Sequence, residues 1–575
     1  MFKNYFKTAW RNLLSRKAFS VINILGLAVG MAAFFLIFLY VSFETSYDSF
    51  NTKADRIYRV VSDVRTPSET IAAGITVAPV AIYLKKDFPE VEDAVRFASD
   101  GFLVKKDDVK FQEEKTLIAD SSLFNIFDFP LVEGNKKTAL KEPMSIVLSQ
   151  TAAKKYFGSK NPLGQHVLLT GAAINATITG VMKDIPGNSQ LHADMLVSMS
   201  SYPIIYKQST LDSDWNNHNF LTYILLKPYT DVKALEKKLP AFMDKYHGED
   251  AGKRQMLETL YIEPLHDVYL KSTHTAFTPA KVFTTGNINN VYIFSVIGIF
   301  ILLLACINFI NLTTARSAER AKEVGIRKVM GAARFQLAKQ FIAESILICM
   351  VAFILAVLLC QLSLPLFNVL AGKTISSSIF GNEARLLFLL LLAFIIGIVA
   401  GFYPSLVLSS FNPVTVLKGH FSTSTKGLIL RKGLVIFQFV VSIVLIAGTI
   451  IVYTQLNYMR NKDLGFSKEQ EVIINTNFDK NKDAFKASLS SIPGVLSTTW
   501  SSSVPGSSYK ADYSEIENAK GETQKTNINL YFVDYNYIDQ YKLELAAGRS
   551  FSKDFATDSI QAMIINERGA KHDAV

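Results

Sequence analysis

Five apolar segments of about twenty residues each dominate this 575-residue chain. A helix needs roughly 20 apolar residues to cross the hydrocarbon of a bilayer, where no water can satisfy an open backbone. Composition agrees, because 49% of the residues are hydrophobic and 12% are aromatic, and the apolar residues lie in uninterrupted blocks. The sequence therefore predicts transmembrane helices at residues 19–42, 289–313, 341–364, 386–409 and 432–455.

Basic residues cluster beside three ends of these predicted helices, at residues 3–17, 316–339 and 418–432, whereas Glu44 and Asp48 follow the first helix. The positive-inside rule places basic flanks in the cytoplasm. The net charge of +10 is explained by these flanks and does not indicate nucleic-acid binding. Between the helices we expect a cytoplasmic N-terminus at 1–18, an outer domain at 43–288, a cytoplasmic loop at 314–340, a short outer loop at 365–385, a cytoplasmic linker at 410–431 and a second outer domain at 456–575.

The first outer region has the pattern of a folded α+β domain, long enough for two lobes. All three cysteines lie in predicted helices, so this domain must be held together by its core rather than by disulfides. Turn sequences separate the elements at 161–164 and 185–188. The predicted strands lie at 56–61, 145–148, 165–169, 176–181 and 221–226, and the predicted helices at 151–157 and 231–245.

The order of segments begins a second time near residue 431, where Arg431-Lys432 repeats Arg16-Lys17 before another apolar helix. The spacing of the two copies is roughly 415 residues, far longer than a solenoid repeat. The sequence therefore predicts a duplicated unit of one span, an outer domain and three spans, with the second copy incomplete. The matched positions of the outer domains are Pro89, Val91, Asp120, Phe127, Leu131 and Gly134 with Pro493, Val495, Asp534, Tyr541, Leu545 and Gly548.

Several features inside the predicted helices bear on how they pack. The pairs Gly26/Gly30 and Gly397/Gly401 have the GxxxG spacing that lets helices approach closely in lipid. Pro404 is expected to kink or end the fourth helix. Glu344 is the clearest ionisable residue within a span, and its place near the start of the third helix predicts that it reaches the membrane interface.

The sequence contains no recognisable catalytic, metal or nucleotide site. Its eight histidines are scattered, and no HExxH or paired CxxC occurs. No GxSxG marks a nucleophile, and no GxxxxGK[ST] marks a nucleotide-binding loop. We therefore expect a chain that is not itself an enzyme, and any energy for transport must come from a partner.

The cytoplasmic loop at 314–340 carries the most specific pattern. Gly325 and Gly331 lie in it, and each would cost about 1 kcal/mol inside a helix, which favours a helix–turn–helix elbow. An ordinary positively charged loop would explain the basic residues alone. It would not explain Val324, Val329 and Met330, which would otherwise lie in water. The pattern therefore predicts contact with a protein partner.

Residues 317–334 read SAERAKEVGIRKVMGAAR and are followed by QFIAES at 340–345. This stretch resembles the ER-x-x-EIGIRK-x-x-GA … QF-x-x-E signature of MacB/FtsX-type ABC transporter permeases. The resemblance implies α-helical spans with MacB-like periplasmic core domains, in the two-copy form common in Bacteroidetes and truncated at its C-terminal end. Further matches are NPLG at 161–164, GVMKDIPGN at 180–188, GFYP at 401–404, NP at 412–413 and LKG at 417–419.

In that family, a dimer of ABC ATPase subunits binds the permease through a cytoplasmic coupling helix. The resemblance implies that ATP and magnesium are bound by this partner, with no cofactor in the chain itself. It also implies a bacterial inner-membrane location, with a periplasmic adaptor and an outer-membrane channel as further partners. The ATPase contact maps to Glu319, Arg320, Glu323, Gly325, Ile326, Arg327, Lys328 and Gly331.

The expected function is that of a non-catalytic permease subunit, which couples ATP hydrolysis by a separate ATPase to export or extraction of a substrate. The alternative is an FtsX-like relay that controls an outer partner, such as a cell-wall hydrolase, without moving solute. The large duplicated outer domains favour the first function, because a relay needs less surface. Neighbouring genes would separate the two, since an adaptor gene favours export and a hydrolase gene favours the relay.

A membrane-impermeant thiol reagent tests the predicted orientation. Cysteines introduced near Asn188 and near Thr476 are expected to be labelled in intact cells, because both regions are predicted to face outward. A cysteine introduced by Ala321→Cys is expected to stay protected until the membrane is opened. Labelling at residue 321 in intact cells would contradict the orientation.

Overall fold

The computed structural model describes residues 17–65, 69–170, 174–215, 217–254, 257–315, 317–376, 378–410, 425–467, 469–476, 481–506, 510–517, 523–567 and 569–570. The chain forms two compact units. One comprises Met1–Ser46 and Asn287–Arg460, and the other comprises Tyr47–Gly286 and Asn461–Val575. They are called here the helical unit and the α+β unit. Most of the predicted linker at 410–431 lies outside the described residues.

The helices are α1 (Lys17–Glu44), α2 (Pro79–Asp87), α3 (Leu123–Ile126), α4 (Gln150–Phe157), α5 (Tyr202–Tyr206), α6 (Val232–Glu236), α7 (Leu239–Arg254), α8 (Leu265–Val268), α9 (Ile288–Ala315), α10 (Ser317–Val329), α11 (Arg334–Ala371), α12 (Glu383–Ser410), α13 (Thr425–Asn461), α14 (Lys482–Ser490) and α15 (Tyr537–Gln540).

The strands are β1 (Ile57–Arg65), β2 (Thr70–Ala73), β3 (Thr76–Val77), β4 (Val91–Lys106), β5 (Val109–Ala119), β6 (Leu131–Gly134), β7 (Ser145–Ser149), β8 (His166–Leu169), β9 (Ile174–Met182), β10 (Met195–Ser198), β11 (His218–Leu226), β12 (Leu257–Pro264), β13 (Lys510–Glu517) and β14 (Thr523–Leu530).

Within the described residues, five helices are long and apolar enough to cross a membrane, and they contain the five predicted spans. They are α1, α9, α11, α12 and α13. Helix α11 extends to Ala371, beyond the predicted end at residue 364, and includes Pro365. Pro404 does not end α12, which continues to Ser410. In the same turn the hydroxyl of Ser405 donates to the carbonyl of Phe402 at 2.7 Å, a side-chain bond of the kind that supports proline in membrane helices.

Small residues bring the helices of the helical unit into close contact. A methyl group added to Gly30 would lie 2.5 Å from the Cβ of Ala305 in α9. A methyl group on Gly401 would lie 2.6 Å from the Cβ of Ser345 in α11. Real carbon atoms do not approach this closely, so only glycine fits at these two crossings. Both predicted glycine pairs therefore mark true helix contacts.

Two carboxylates of the helical unit are buried. Glu44, at the end of α1, is only 4% exposed and pairs with the ammonium of Lys373 at 2.5 Å. Lys373 follows Gly372, which closes α11 in a left-handed conformation (φ +63°). Glu344 is buried in α11, ten residues after that helix begins at Arg334. Its predicted place at the membrane interface stays a prediction.

The α+β unit is built on one mixed sheet of 12 strands. Its main order is β12-β1-β11-β4-β5-β10-β7-β9-β6, with β2, β3 and β8 paired beside it. Pairs β5–β10 and β7–β9 are parallel, whereas β1 is antiparallel to both β11 and β12. The predicted α+β class is confirmed. Strands β13 and β14 form a separate two-stranded sheet. Part of the core lies where Phe97, Phe127 and Tyr223 meet in edge-to-face contacts.

The long hairpin β4–β5 has no counterpart among the strands predicted from the sequence. Charged residues interrupt its apolar pattern, as Arg96 does in the middle of β4. Arg96 is nevertheless buried, because its guanidinium pairs with Asp120 at 3.0 Å and with Asp212 at 2.7 Å. A buried charge is tolerated when it is paired and hydrogen-bonded in this way, and neither partner is close to Arg96 in sequence.

Several local features of the α+β unit recur at the spacing of the predicted duplication, which itself stays a prediction. Short helices begin 414 residues apart, α3 at Leu123 and α15 at Tyr537. The matched glycines that follow, Gly134 and Gly548, both have positive φ angles, of +97° and +84°. Two hydrogen bonds also recur. The bond from Asp120 N to Arg96 O (3.3 Å) is matched by the bond from Asp534 N to Trp500 O (2.8 Å). The bond from Ser122 Oγ to Ala94 O (2.6 Å) is matched by the bond from Asn536 Nδ2 to Thr498 O (3.1 Å).

The close helix crossings predict a selective effect of larger side chains. Gly30→Leu and Gly401→Leu are each expected to destabilise the helical unit by about 1–3 kcal/mol, because the added atoms overlap the facing helix. The measurement is thermal unfolding of the purified protein in detergent. Gly448→Leu in α13 is the control, since a methyl group there meets no described atom within 4 Å. Equal midpoints for all three variants would contradict this packing.

Candidate functional site

The predicted cytoplasmic loop folds as two helices joined by a tight turn. Helix α10 ends at Val329 and α11 begins at Arg334. The turn is closed by backbone bonds of 3.0 Å from Gly331 N to Lys328 O and from Ala332 N to Arg327 O. Gly331 has φ +94°, a conformation that favours glycine. We call residues 317–340 the elbow, and its turn lies where the sequence predicted one.

Gly325 is not part of the turn, although the sequence pattern favoured an elbow because of both Gly325 and Gly331. It lies inside α10 and is buried. Its neighbour Val324 packs with Leu337 and Phe341 of α11. This contact between the two helices explains why a glycine is accepted in the helix interior, since tertiary packing overrides local propensity.

Arg327 fixes the angle of the elbow by bonding to both helices. One guanidinium nitrogen lies 2.8 Å from the carboxylate of Glu323 in α10. Another donates to the side-chain oxygen of Gln340 in α11 at 2.9 Å, and Gln340 is buried. The planar guanidinium suits this double role, because its donors point in fixed directions. Glu323 and Arg327 thus stabilise the elbow itself.

Large apolar side chains project from the elbow. Ile326, Val329, Met330 and Phe335 are 47%, 66%, 78% and 69% exposed. They come from the last turn of α10, the joining turn and the first turn of α11, and we call them the elbow surface. Exposed apolar patches of this kind usually mark interaction sites.

Cations border the elbow surface. The ammonium of Lys339 lies 4.4 Å from the centre of the Phe335 ring. Partial burial lowers the pKa of Lys328, and the positive charge of Arg334 lowers it further. A partner surface carrying acidic groups would relieve this repulsion. The elbow therefore combines apolar contact area with positive charge.

The structure brings together most of the residues that the family signature implied. Glu323, Ile326, Arg327, Lys328 and Gly331 all lie on the described part of the elbow. The backbone positions of Glu319 and Arg320 lie in α10, but their side chains are outside the described residues. The contact residues implied by the signature leave out Val329, Met330 and Phe335, of which the first two were visible as apolar residues in a charged loop. Gln340 belongs to the QF-x-x-E part of the signature, but its bond to Arg327 was not predicted.

The described side chains of the elbow offer docking chemistry. No group of three or more His, Cys, Asp or Glu side chains among them could hold a metal ion. In the α+β unit, histidines are paired with carboxylates instead. His274, for example, lies 3.1 Å from both Glu263 and Asp63, and these bonds raise its pKa.

Two family models match this chain. Residues 20–242 match the MacB-like periplasmic core domain, and residues 295–413 match the FtsX-like permease C-terminal domain. The chain belongs to the MacB/FtsX-type ABC transporter permeases. The second match contains the whole elbow. The chain is accordingly a membrane protein with an extracytoplasmic domain, and the α+β unit contains that domain.

Individual relatives are distant. The macrolide export ATP-binding/permease protein MacB of Neisseria gonorrhoeae is 25% identical over 276 residues, which cover 47% of this chain and 38% of the relative. The ABC transporter permease YknZ of Bacillus subtilis is 24% identical over 276 residues, covering 47% of this chain and 61% of YknZ. The chain thus spans about four tenths of the length of its MacB relative.

Among solved structures, a permease domain from Porphyromonas gingivalis is similar to part of the chain. It is 22% identical, with a TM-score of 0.34, and the match covers 37% of this chain and 91% of that domain. The periplasmic region of MacB from Actinobacillus actinomycetemcomitans is 13% identical, with a TM-score of 0.28. That match covers 37% of this chain and 90% of the region.

Proposed function

We propose that this permease couples ATP hydrolysis by a separate ABC ATPase to movement of its extracytoplasmic domain, and thereby to export or extraction of a substrate. The chain receives force at the elbow and does no chemistry of its own. It acts in the inner membrane of a bacterium, with the elbow in the cytoplasm. A periplasmic adaptor and an outer-membrane channel would complete the route outward.

The elbow surface is the observation that carries this proposal. Met330 is 78% exposed beside a tight turn. Covering such a side chain with a partner stabilises the complex by about 25 cal/mol for each Å² of apolar surface buried. The turn is held by Arg327 and Gln340, so a load applied there passes into α11 instead of bending a loose loop. A docking surface on a rigid support suits the transfer of force.

The sequence supports the proposal of a separate ATPase. The chain has no GxxxxGK[ST] loop, so it lacks the usual cradle for the phosphates of ATP. The name of the Neisseria relative includes both an ATP-binding and a permease part. The alignment with this relative covers 47% of this chain, and the two matched domains of this chain are both of the permease type. An ATPase in a separate chain would supply the remaining function.

Met330→Asp tests the proposal, because it places a charge in the centre of the elbow surface without touching Arg327 or Gln340. We expect the variant to insert and fold normally but to lose co-purification with the ATPase, or stimulation of its hydrolysis, by at least tenfold. Burying an unpaired charge in an interface costs several kcal/mol. Co-purification and ATP hydrolysis in detergent or nanodiscs provide the measurement. Glu323→Lys is a less specific probe, since Glu323 pairs with Arg327 inside the elbow.

The matched control is Tyr229→Asp in the α+β unit. Tyr229 is fully exposed, so this change also replaces an exposed apolar side chain by a carboxylate, but far from the elbow in sequence. It should leave ATPase binding unchanged. Wild-type binding and stimulation by Met330→Asp would mean that the elbow is only a positively charged tether.

A further inference from the structure

The chain passes into the α+β unit at Tyr47 and leaves its first part at Gly286. We call the segments at 47–51 and 282–286 the entrance and the exit. At the entrance, Asp48 has φ +55° and its side chain is buried. Its backbone N–H donates to Asn188 O at 2.8 Å. Its carboxylate accepts bonds from Ser189 Oγ at 2.9 Å and from Gln190 N at 3.2 Å.

The segment at 188–192, which bonds to Asp48 at the entrance, also forms hydrogen bonds to the exit. Gln190 is fully buried, and its carbonyl accepts a bond from Thr284 N at 2.9 Å. Two residues further on, His192 N donates to Val282 O at 2.8 Å. One residue, Gln190, therefore bonds to the entrance through its N–H and to the exit through its carbonyl.

Tyr269, which follows α8, makes a second connection. Its ring stacks on Tyr47, with ring centres 3.4 Å apart and planes only 2° from parallel. Its carbonyl accepts a bond from Gly286 N at 2.8 Å. A methyl group on Gly286 would lie 2.6 Å from Cζ of the same ring. Entrance and exit thus pack on a single aromatic side chain.

We propose that Asp48, Gln190 and Tyr269 form a clasp that joins the two places where the chain enters and leaves the domain, so that a displacement at either one moves both. Only the role of the clasp, which is to pass movement from the spans to the domain, rests on the proposed function. As a physical connection it can be tested without the ATPase. A domain fixed only at its entrance or only at its exit could rotate about that point. A domain in which the entrance and the exit are joined must follow the movement of both.

The clasp is also sensitive to pH. Burial is the main reason why the pKa of Asp48 rises from its ordinary 3.8 to about 7, and the bonds from Ser189 and Gln190 offset only part of this effect. The neutral carboxyl is therefore the form that the folded domain prefers. The stabilisation is complete below the ordinary pKa near 4 and is lost progressively as the pH rises to and through about 7, so the clasp is weakest at neutral and alkaline pH.

His266 and Tyr223 interact electrostatically with Asp48. His266 of α8 lowers the pKa of Asp48 through its charge, and its imidazole pairs with Asp55 at 3.0 Å. Asp48 in turn raises the pKa of Tyr223 in β11, whereas Arg59 of β1 lowers the pKa of Tyr223. Burial is the main reason why the pKa of Tyr223 is raised further above neutrality, so Tyr223 does not change charge between pH 6 and pH 8.

Hydrogen exchange of the full-length protein in detergent tests the clasp. Asp48→Ala is expected to speed amide exchange at Gln190, which it contacts, and also at Thr284 and Gly286, which it does not. Loss of a buried bond should raise these rates on the order of tenfold. Asp128→Ala is the control, because Asp128 also bonds to a residue that follows the entrance, at Thr52 N and Oγ1, but does not contact Gln190. Faster exchange at Gln190 with unchanged exchange at Thr284 would overturn the clasp.

Asp48→Asn separates loss of the clasp from loss of folding, since it keeps the shape of the neutral carboxyl. After correction for intrinsic exchange, wild-type protection at Thr284 should fall about tenfold between pH 6 and pH 8, as the ionised fraction of Asp48 rises from about one tenth to about nine tenths. The variant should stay protected at both pH values. Equal pH dependence in the two proteins would overturn the role of Asp48. Exchange results as expected, together with ATPase binding that survives Met330→Asp, would uphold the clasp and reject the proposed function.

Discussion

Close approach of helix backbones at small residues is the contact on which the helical unit depends. In hydrocarbon, an apolar side chain gains little by leaving lipid for protein, so helices associate through close packing and a few polar bonds. Gly30 against Ala305 and Gly401 against Ser345 supply the packing. The buried pair of Glu44 and Lys373 adds a polar bond at the end of α1. Helices held by such specific contacts are suited to shift as packed units, as the proposed transfer of movement across the membrane requires.

Buried polar groups occur where the chain changes direction, and there they fix geometry rather than add stability. Arg327 and Gln340 hold the elbow, Glu44 and Lys373 hold the loop after α11, and Asp48 holds the entrance of the α+β unit. Burying a charge has a desolvation cost, which attraction to its partner offsets only when the geometry of the pair is good. Removing one member of a buried ion pair typically destabilises a protein by about 3–5 kcal/mol. Each junction therefore has one preferred arrangement, as coupling between elements requires.

Sequence reasoning succeeded where the signal is local. The five spans follow from long apolar runs, and the turn at Gly331 follows from a residue that tolerates positive φ. It failed where burial depends on remote partners. Arg96 interrupts a strand pattern unless Asp120 is known to lie beside it. Of the elbow, the signature gave the charged residues, the glycines and Ile326, while the rest of the exposed apolar surface required knowledge of which side chains the two helices cover.

The central claim is that an ATPase binds at the elbow, and site-specific crosslinking in native membranes tests it most directly. A photoreactive amino acid in place of Val329 would sit on the elbow surface, 66% exposed, and leave Arg327 and Gln340 intact. The account predicts a crosslink to one protein carrying a nucleotide-binding loop, whose yield changes when ATP is added. Crosslinks to lipid alone, or to a protein without a nucleotide site, would contradict it.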